Sequence, residues 1–276
     1  MVAKRTMDYA QLSLVAYGDE GKQSDPWKEL EGRKYRSTKG KFEYYDDFQI
    51  KYEIDVPADF YGQVFYNTGE KEIVFAIRGT EAPNPFDILS DVTVVVNAWL
   101  LNKLKPRMTV PHFGKAVDFF NYIVAGYDYK EKYKEGYKLI ITGHSLGGAC
   151  AQYLALKLYH GGYGPVHTET FNAPGILESL GKEEAYGYNE LDIINHVRYS
   201  DVIGTFGTHL GECRYYAVDN YESAHSMRKF YLDLENDPPY YENQEGAKAY
   251  LESLTQMSRE AQDQFSLSGG NLFPNF

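Results

Sequence analysis

Ser145 stands in Gly143-His144-Ser145-Leu146-Gly147, directly after the apolar run Leu139-Ile140-Ile141-Thr142 and just before Ala149-Cys150-Ala151-Gln152-Tyr153-Leu154-Ala155-Leu156. A strand-forming run, a serine with glycine two places to either side, and a helix-forming stretch together spell the G-x-S-x-G elbow. The serine must occupy a strained backbone conformation there, and side chains at the two glycines would strike the neighbouring strand and helix. Its hydroxyl then projects at a helix N-terminus, where backbone N–H groups and the helix dipole favour a developing oxyanion. That is the chemistry of a nucleophile in acyl transfer. A glycine-rich turn in any α/β protein is the plain structural alternative, and the flanking strand and helix favour the nucleophile.

A serine hydroxyl is a poor nucleophile near neutral pH and needs a base, itself oriented by an acid. Seven histidines are on offer. His144 adjoins the serine, where neighbouring side chains diverge; His160 and His167 fall at the far ends of their elements, His196 lies within a strand, and His112 precedes the nucleophile. With this elbow the chain order is Ser, then Asp or Glu, then His, so the base should follow a late strand. His225 fits best, after the last expected strand and at the opening of a helix; His209 is the fallback. Were His225 only structural, it would serve as a cap or a solvated surface group. The acid is expected at Asp201, where a strand delivers its carboxyl end to the serine's edge. Asp219 is a second candidate, and Asp192 begins that strand at the opposite edge. Two donors must meet the oxyanion. One is the backbone N–H of Leu146; the other is expected from Thr80, although Arg78-Gly79-Thr80 alone would read as a simple turn.

These groups need a scaffold. Tyr9, Leu12, Val15 and Ala16 fall at helical spacing before Gly18, and residues 19–41 read as a long polar connection. Phe48 to Val56 alternates as a strand with one wet face. Gln63–Tyr66 and Glu72–Ile77 flank Asn67-Thr68-Gly69-Glu70 as a hairpin whose second arm is apolar throughout and therefore central. Phe113, Ala116, Val117, Phe120, Ile123 and Val124 mark a helix to about Gly126, with a charged continuation to Tyr133. After the elbow, strands are expected at Val166–Phe171, Asp192–Tyr199 and Cys213–Val218. Helices are expected at Leu146–His160, weakly at Ile176–Lys182, at Ser226–Glu235 and from Ala247 to Phe265. Strands alternating with helices predict a largely parallel sheet covered on both faces. The stretch from Phe86 to Leu101 is too apolar for an ordinary loop and reads either as a buried element or as an apolar cover over an acyl-binding cleft, with Phe86 and Trp99 in its wall. His144, beside the nucleophile, is assigned with them to substrate binding.

The chain has 276 residues, 43% of them hydrophobic, enough for a substantial core in a single domain spanning 1–276, its core about 9–236 and a helix and tail at 237–276. Twenty-six tyrosines and 15 phenylalanines make core and rim aromatic, and a mean hydropathy of -0.50 fits a soluble chain. A formal charge of -11 argues against nucleic acid and against electrostatic capture by anionic lipid. Cys150 and Cys213 make no disulfide framework, and their pairing is open at this point. The segment Leu12-Ser13-Leu14-Val15-Ala16, preceded by Asp8, is no Sec signal, and no window approaches the ~20 apolar residues of a membrane span. The expected location is therefore cytoplasmic, or extracellular by a route that leaves no N-terminal mark.

Taken in order, Phe75-Ala76-Ile77-Arg78-Gly79-Thr80, His112-Phe113-Gly114, Ile141 through Ala149, Thr170-Phe171-Asn172-Ala173-Pro174-Gly175, Ser200-Asp201 and His225 resemble the class 3, fungal-type lipases of the α/β-hydrolase superfamily, over about residues 9–236. The resemblance implies an α/β-hydrolase fold and triacylglycerol lipase, phospholipase A1 or related carboxylester hydrolase activity. It also implies Ser145, Asp201 and His225 as triad, Thr80 and Leu146 as oxyanion donors, a lid after Thr80, and no metal or organic cofactor. The partner would be a lipid or other acyl ester, with transient contact at a lipid surface. The chain departs from the family where Asp201-Val202-Ile203-Gly204 replaces the frequent Asp-Pro-Val-Pro, and in a lid segment longer and richer in valine than the usual amphipathic helix. Short-chain esterase, thioesterase, peptidase and acyltransferase use the same triad, and a binding protein could keep the fold without turnover.

Overall fold

The computed structural model describes residues 4–17, 31–33, 36–38, 41–45, 51–55, 60–67, 70–79, 111–126, 135–218 and 224–267. Eleven strands fall there: β1 (Glu31–Arg33), β2 (Arg36–Thr38), β3 (Lys41–Tyr45), β4 (Lys51–Asp55), β5 (Gly62–Asn67), β6 (Glu72–Ile77), β7 (Lys138–His144), β8 (Val166–Phe171), β9 (Asp192–Arg198), β10 (Glu212–Tyr216) and β11 (Tyr240–Tyr241). The helices are α1 (Lys4–Val15), α2 (Pro111–Gly126), α3 (Leu146–His160), α4 (Met227–Glu235) and α5 (Gln244–Leu267).

The main sheet runs β1-β5-β6-β7-β8-β9-β10-β11. From β6 to β10 every pairing is parallel, while β1 on β5, β5 on β6 and β11 on β10 are antiparallel. Parallel strands need crossovers, and helices on both faces supply them. Alternate residues feed two cores. Ile73, Phe75, Ile77, Leu139 and Ile141 meet Phe113, Phe119 and Phe120 of α2 and Ala149 and Leu154 of α3. Val74, Ala76, Ile140 and Phe171 meet Tyr9 and Leu12 of α1 and Phe230 and Leu234 of α4. The architecture is thus the expected α/β layering with a largely parallel sheet, and the carboxyl ends of β6 to β10 all open at one edge.

Several elements differ from expectation. The polar stretch read as a connection carries β1, which extends the main sheet, and β2, which joins β3 and β4 in a separate antiparallel sheet. The helix expected over Ile176–Lys182 shrinks to a single 3₁₀ turn, Leu177–Ser179. Strand β10 is not the last, since the two-residue β11 caps the sheet edge after Pro238 and Pro239. Both cysteines are free; Cys150 is buried, and burial pushes the Cys213 thiol up to about 11. The continuation to Tyr133, residues 48–50 and 56 of the expected Phe48–Val56 strand and the segment Phe86–Leu101 lie outside the described residues.

The sheet carries a buried charged chain away from the elbow. Glu169, 3% exposed, accepts from His167 Nε2 at 3.0 Å and from His196 Nε2 at 2.7 Å. His196 Nδ1 lies 2.9 Å from the Tyr216 hydroxyl, and His167 Nδ1 lies 2.9 Å from Asp192. Burial alone would raise the Glu169 carboxyl; the two histidines outweigh it and hold it at about 2. Burial would lower His167, yet Glu169 and Asp192 leave it raised.

Two predictions follow from this packing. Glycine at 147 is dictated by the strand alongside it: a Cβ would overlap the Ile77 carbonyl oxygen and come within 2.6 Å of the Arg78 carbonyl carbon, both backbone. At Gly114, on the open face of α2, a Cβ meets nothing within 4 Å. Urea melts should therefore show Gly147→Ala losing about 1–3 kcal/mol or more and Gly114→Ala gaining roughly 0.5–1; equal stability of the two variants would contradict the packing. For Glu169, a depressed carboxyl stabilises the fold above its ordinary value of 4.5 and loses that contribution as pH falls towards about 2. A raised His167 contributes below its ordinary 6.5 and fades as pH rises through its folded value. Stability measured against pH should thus fall more steeply below pH 4.5 in wild type than in Glu169→Gln.

Candidate active site

Strand β7 ends at His144, and the next residue, Ser145, takes φ 57° and ψ -131° before α3 begins at Leu146. A positive φ in a non-glycine residue is strained, and close packing on both sides imposes it here. On one side the Ser145 N–H donates to the Phe171 carbonyl at 3.1 Å. On the other, a Cβ at Gly79 would lie 2.6 Å from the His144 carbonyl oxygen and 2.9 Å from Ser145 Cβ, so the end of β6 presses on the elbow. Gly143 is pinned likewise, 2.6 Å from Gly147 backbone by the same measure.

Three sequence-selected side chains meet at this edge. His225 Nε2 lies 2.7 Å from Ser145 Oγ, and His225 Nδ1 lies 2.7 Å from Asp201 Oδ2. A carboxylate only accepts, so Nδ1 carries the proton and Nε2 presents its lone pair to the serine hydroxyl. Asp201 is 1% exposed, and its other oxygen accepts from the Ile203 N–H at 2.9 Å. Ser145 is 2% exposed, while the His225 ring keeps 14% of its surface open. This arrangement can deprotonate a hydroxyl and return the proton to a leaving group on the same side.

His209, the fallback base, is buried elsewhere. Its Nε2 donates to the Ala173 carbonyl at 2.7 Å, and burial lowers its pKa, which fixes it as a neutral structural group. Leu146 is the first residue of α3, where N–H groups have no partner within the helix, so its donor is in place beside the serine. Thr80, Phe86, Trp99 and Asp219 lie outside the described residues. His144 is not open to a substrate: it is 4% exposed, with Nδ1 2.8 Å from the Tyr17 hydroxyl and Nε2 2.9 Å from the His225 carbonyl oxygen. Both ring nitrogens are engaged by the protein itself, which corrects its assignment to substrate binding. The His144 ring packs 4.8 Å from that of His225.

Sequence reasoning missed the groups that hold the main chain at His225. Asn172, at φ 46°, donates from Nδ2 to the Ala224 carbonyl at 3.1 Å and accepts from the Arg198 N–H at 2.9 Å. Arg198, wholly buried, donates to the same Ala224 carbonyl at 3.0 Å and pairs with Asp233 at 3.1 Å. An arginine closing the apolar strand Ile193-Ile194-Asn195-His196-Val197-Arg198 was the available signal. Among the described residues no group of three or more His, Cys, Asp or Glu is placed to hold a metal ion, and no helix is long and apolar enough to cross a membrane.

Residues 74–206, which include the elbow and Asp201, match the family described as lipase, class 3. Over these residues the chain is similar to the class 3 lipases. The match supports a carboxylic ester hydrolase of lipid type. Among solved structures, a fungal lipase in complex with an inhibitor aligns at 20% identity over 77% of this chain and 78% of its own, with a TM-score of 0.50. A lipase from Rhizopus microsporus var. chinensis aligns at 17% identity over 79% and 75%, with a TM-score of 0.47. The nonglycosylated LIP2 lipase of Yarrowia lipolytica aligns at 15% over 80% and 82%, at 0.49. At these identities the fungal inhibitor complex speaks for a shared α/β-hydrolase fold alone. No curated protein matches the chain in sequence.

The two late histidines are separable by mutation. His209→Ala should lower stability by about 1–3 kcal/mol, through the Ala173 carbonyl left unpaired, with kcat on an aryl ester within a few-fold of wild type. His225→Ala should lower kcat by about 10³-fold or more with a near-native melting curve. The reverse pattern would transfer the base to His209.

Proposed function

We propose that this chain hydrolyses lipid acyl esters, of the triacylglycerol or phospholipase A1 type, through a Ser145–His225–Asp201 triad and an acyl-enzyme. The observation that carries this reading is the unbroken line from Asp201 through His225 to Ser145, 2.7 Å at each step, ending on a serine held at positive φ at a helix N-terminus. His225 takes the hydroxyl proton as Ser145 Oγ attacks the ester carbonyl, and Asp201 stabilises the imidazolium that forms. The backbone N–H of Leu146, with a second donor assigned to Thr80, receives the negative charge on the tetrahedral oxygen. Collapse of that intermediate passes the proton from His225 to the leaving alcohol. Water then repeats the sequence on the acyl-enzyme, releasing fatty acid and freeing Ser145.

A fluorophosphonate probe should label the wild-type protein and fail to label Ser145→Ala. Rates on aryl esters of rising acyl length, with and without micelles, should hold or climb past about four carbons. A well-folded protein that takes no label would remove the triad, and a collapse of rate beyond that length would convert the enzyme to a short-chain esterase.

A further inference from the structure

His225 belongs to neither a strand nor a helix, yet its ring must stay aligned with two partners while its charge changes. Hydrogen bonds to its own ring orient the imidazole; the backbone beneath it must be held separately. Three strands contribute to that hold. Side chains of Asn172 and Arg198, just past β8 and at the end of β9, take the Ala224 carbonyl. His144, the last residue of β7, takes the His225 carbonyl.

The proton on His144 can be placed by its partners. A backbone carbonyl only accepts, so the 2.9 Å contact to the His225 carbonyl requires a proton on His144 Nε2. A neutral imidazole then offers a lone pair at Nδ1, which the Tyr17 hydroxyl, 2.8 Å away, donates into. Tyr17 follows α1 and reaches the elbow only because position 79 is glycine: a Cβ there would come within 2.5 Å of its hydroxyl. Three elements thus converge on one imidazole with no direct place in the proton transfer.

We propose that Tyr17 and His144 form a positioning pair for the catalytic base, in which Tyr17 fixes the Nε2-protonated tautomer of His144 and His144 in turn clamps the His225 backbone. The proposal rests on the triad reading. Its consequence is specific. The ring of neutral His144 lies 4.8 Å from that of His225, tilted by 39°, so the imidazolium formed during attack meets an uncharged neighbour, and the clamp survives the charge change because it uses the main chain. Burial keeps His144 neutral, holding its pKa well below the ordinary histidine value.

The test compares His144→Leu, His144→Gln and Tyr17→Phe with wild type in kcat, KM, fluorophosphonate labelling rate and thermal melting. Leucine removes the donor. The glutamine amide nitrogen can reach the place of Nε2 and restore it. A loss of about 10- to 100-fold in kcat and labelling rate is expected for His144→Leu at unchanged KM, with most of it recovered in His144→Gln. Tyr17→Phe should lose a smaller factor, again in kcat. Should the leucine variant fail to fold, Tyr17→Phe alone decides, and wild-type kcat in that variant overturns the pair. Equal labelling rates for folded His144→Leu and wild type also overturn it, as does a change confined to KM. Absence of labelling in wild type is a different result, since it removes the triad on which the pair acts.

Discussion

The end of β6 and the start of α3 are packed so closely that there is no room for a side chain between them. Gly147 lies against the Ile77 and Arg78 backbone, Gly143 against Gly147, and Gly79 against the His144 carbonyl and Ser145 Cβ. This crowding holds Ser145 at a φ of 57°, a conformation costing on the order of 1–3 kcal/mol that no isolated peptide would keep. Pairing of β7 with β6 on one side and β8 on the other supplies the compensation, from residues that do no chemistry. Strain at the serine is therefore a property of the sheet and not of the motif. The same five-residue motif outside a parallel sheet would relax.

A parallel sheet also explains why residues far apart in sequence act together. Each strand from β6 to β10 releases its chain at one edge, so successive loops bring in Gly79, Ser145, Asn172, Asp201 and His225 in chain order. Asp201 is held by the turn it belongs to, where the Ile203 N–H and the Thr205 N–H and hydroxyl close back on it. His225 is held from outside, by side chains that come from other strands. That division follows from element lengths. Asp201 lies three residues past β9, within reach of a local turn, whereas His225 lies nine past β10, too far for its own strand to orient it.

Much of this could be read before any coordinates. Helix α3 was placed to the residue, because Ser145 and Gly161 bound an apolar stretch of helical length, and the β5–β6 hairpin followed from turn residues between apolar arms. What escaped was short or polar. Strands β1 and β2 have three residues each and no alternation to detect, and β11 has two, so only pairing with a longer neighbour makes them strands. The Ile176–Lys182 stretch has apolar residues at helical spacing, yet its backbone is spent elsewhere: the N–H groups of Gly175 and Leu177 donate to Phe206 and Thr208. In the site, residue type and chain order singled out Ser145, Asp201 and His225. They could not show that His144 faces inward. That depends on Tyr17, 127 residues earlier, offering a hydroxyl, a partnership with no local signature.

The electrostatics around the base show why its supports are of the kind they are. Asp201 is the charged group bonded to the His225 ring, and the buried Arg198 close by is directed to a backbone carbonyl and to Asp233. A cation bonded to the ring would oppose the imidazolium, and a second carboxylate would hold the proton too long for its transfer to a leaving group. Groups that fix His225 without biasing its charge must be neutral where they touch the ring and must spend any charge on the main chain. His144, Asn172 and Arg198 each satisfy one half of that requirement. Asp201 thus fixes the His225 ring while His144, Asn172 and Arg198 fix the main chain at 224 and 225, so the two supports can be altered independently.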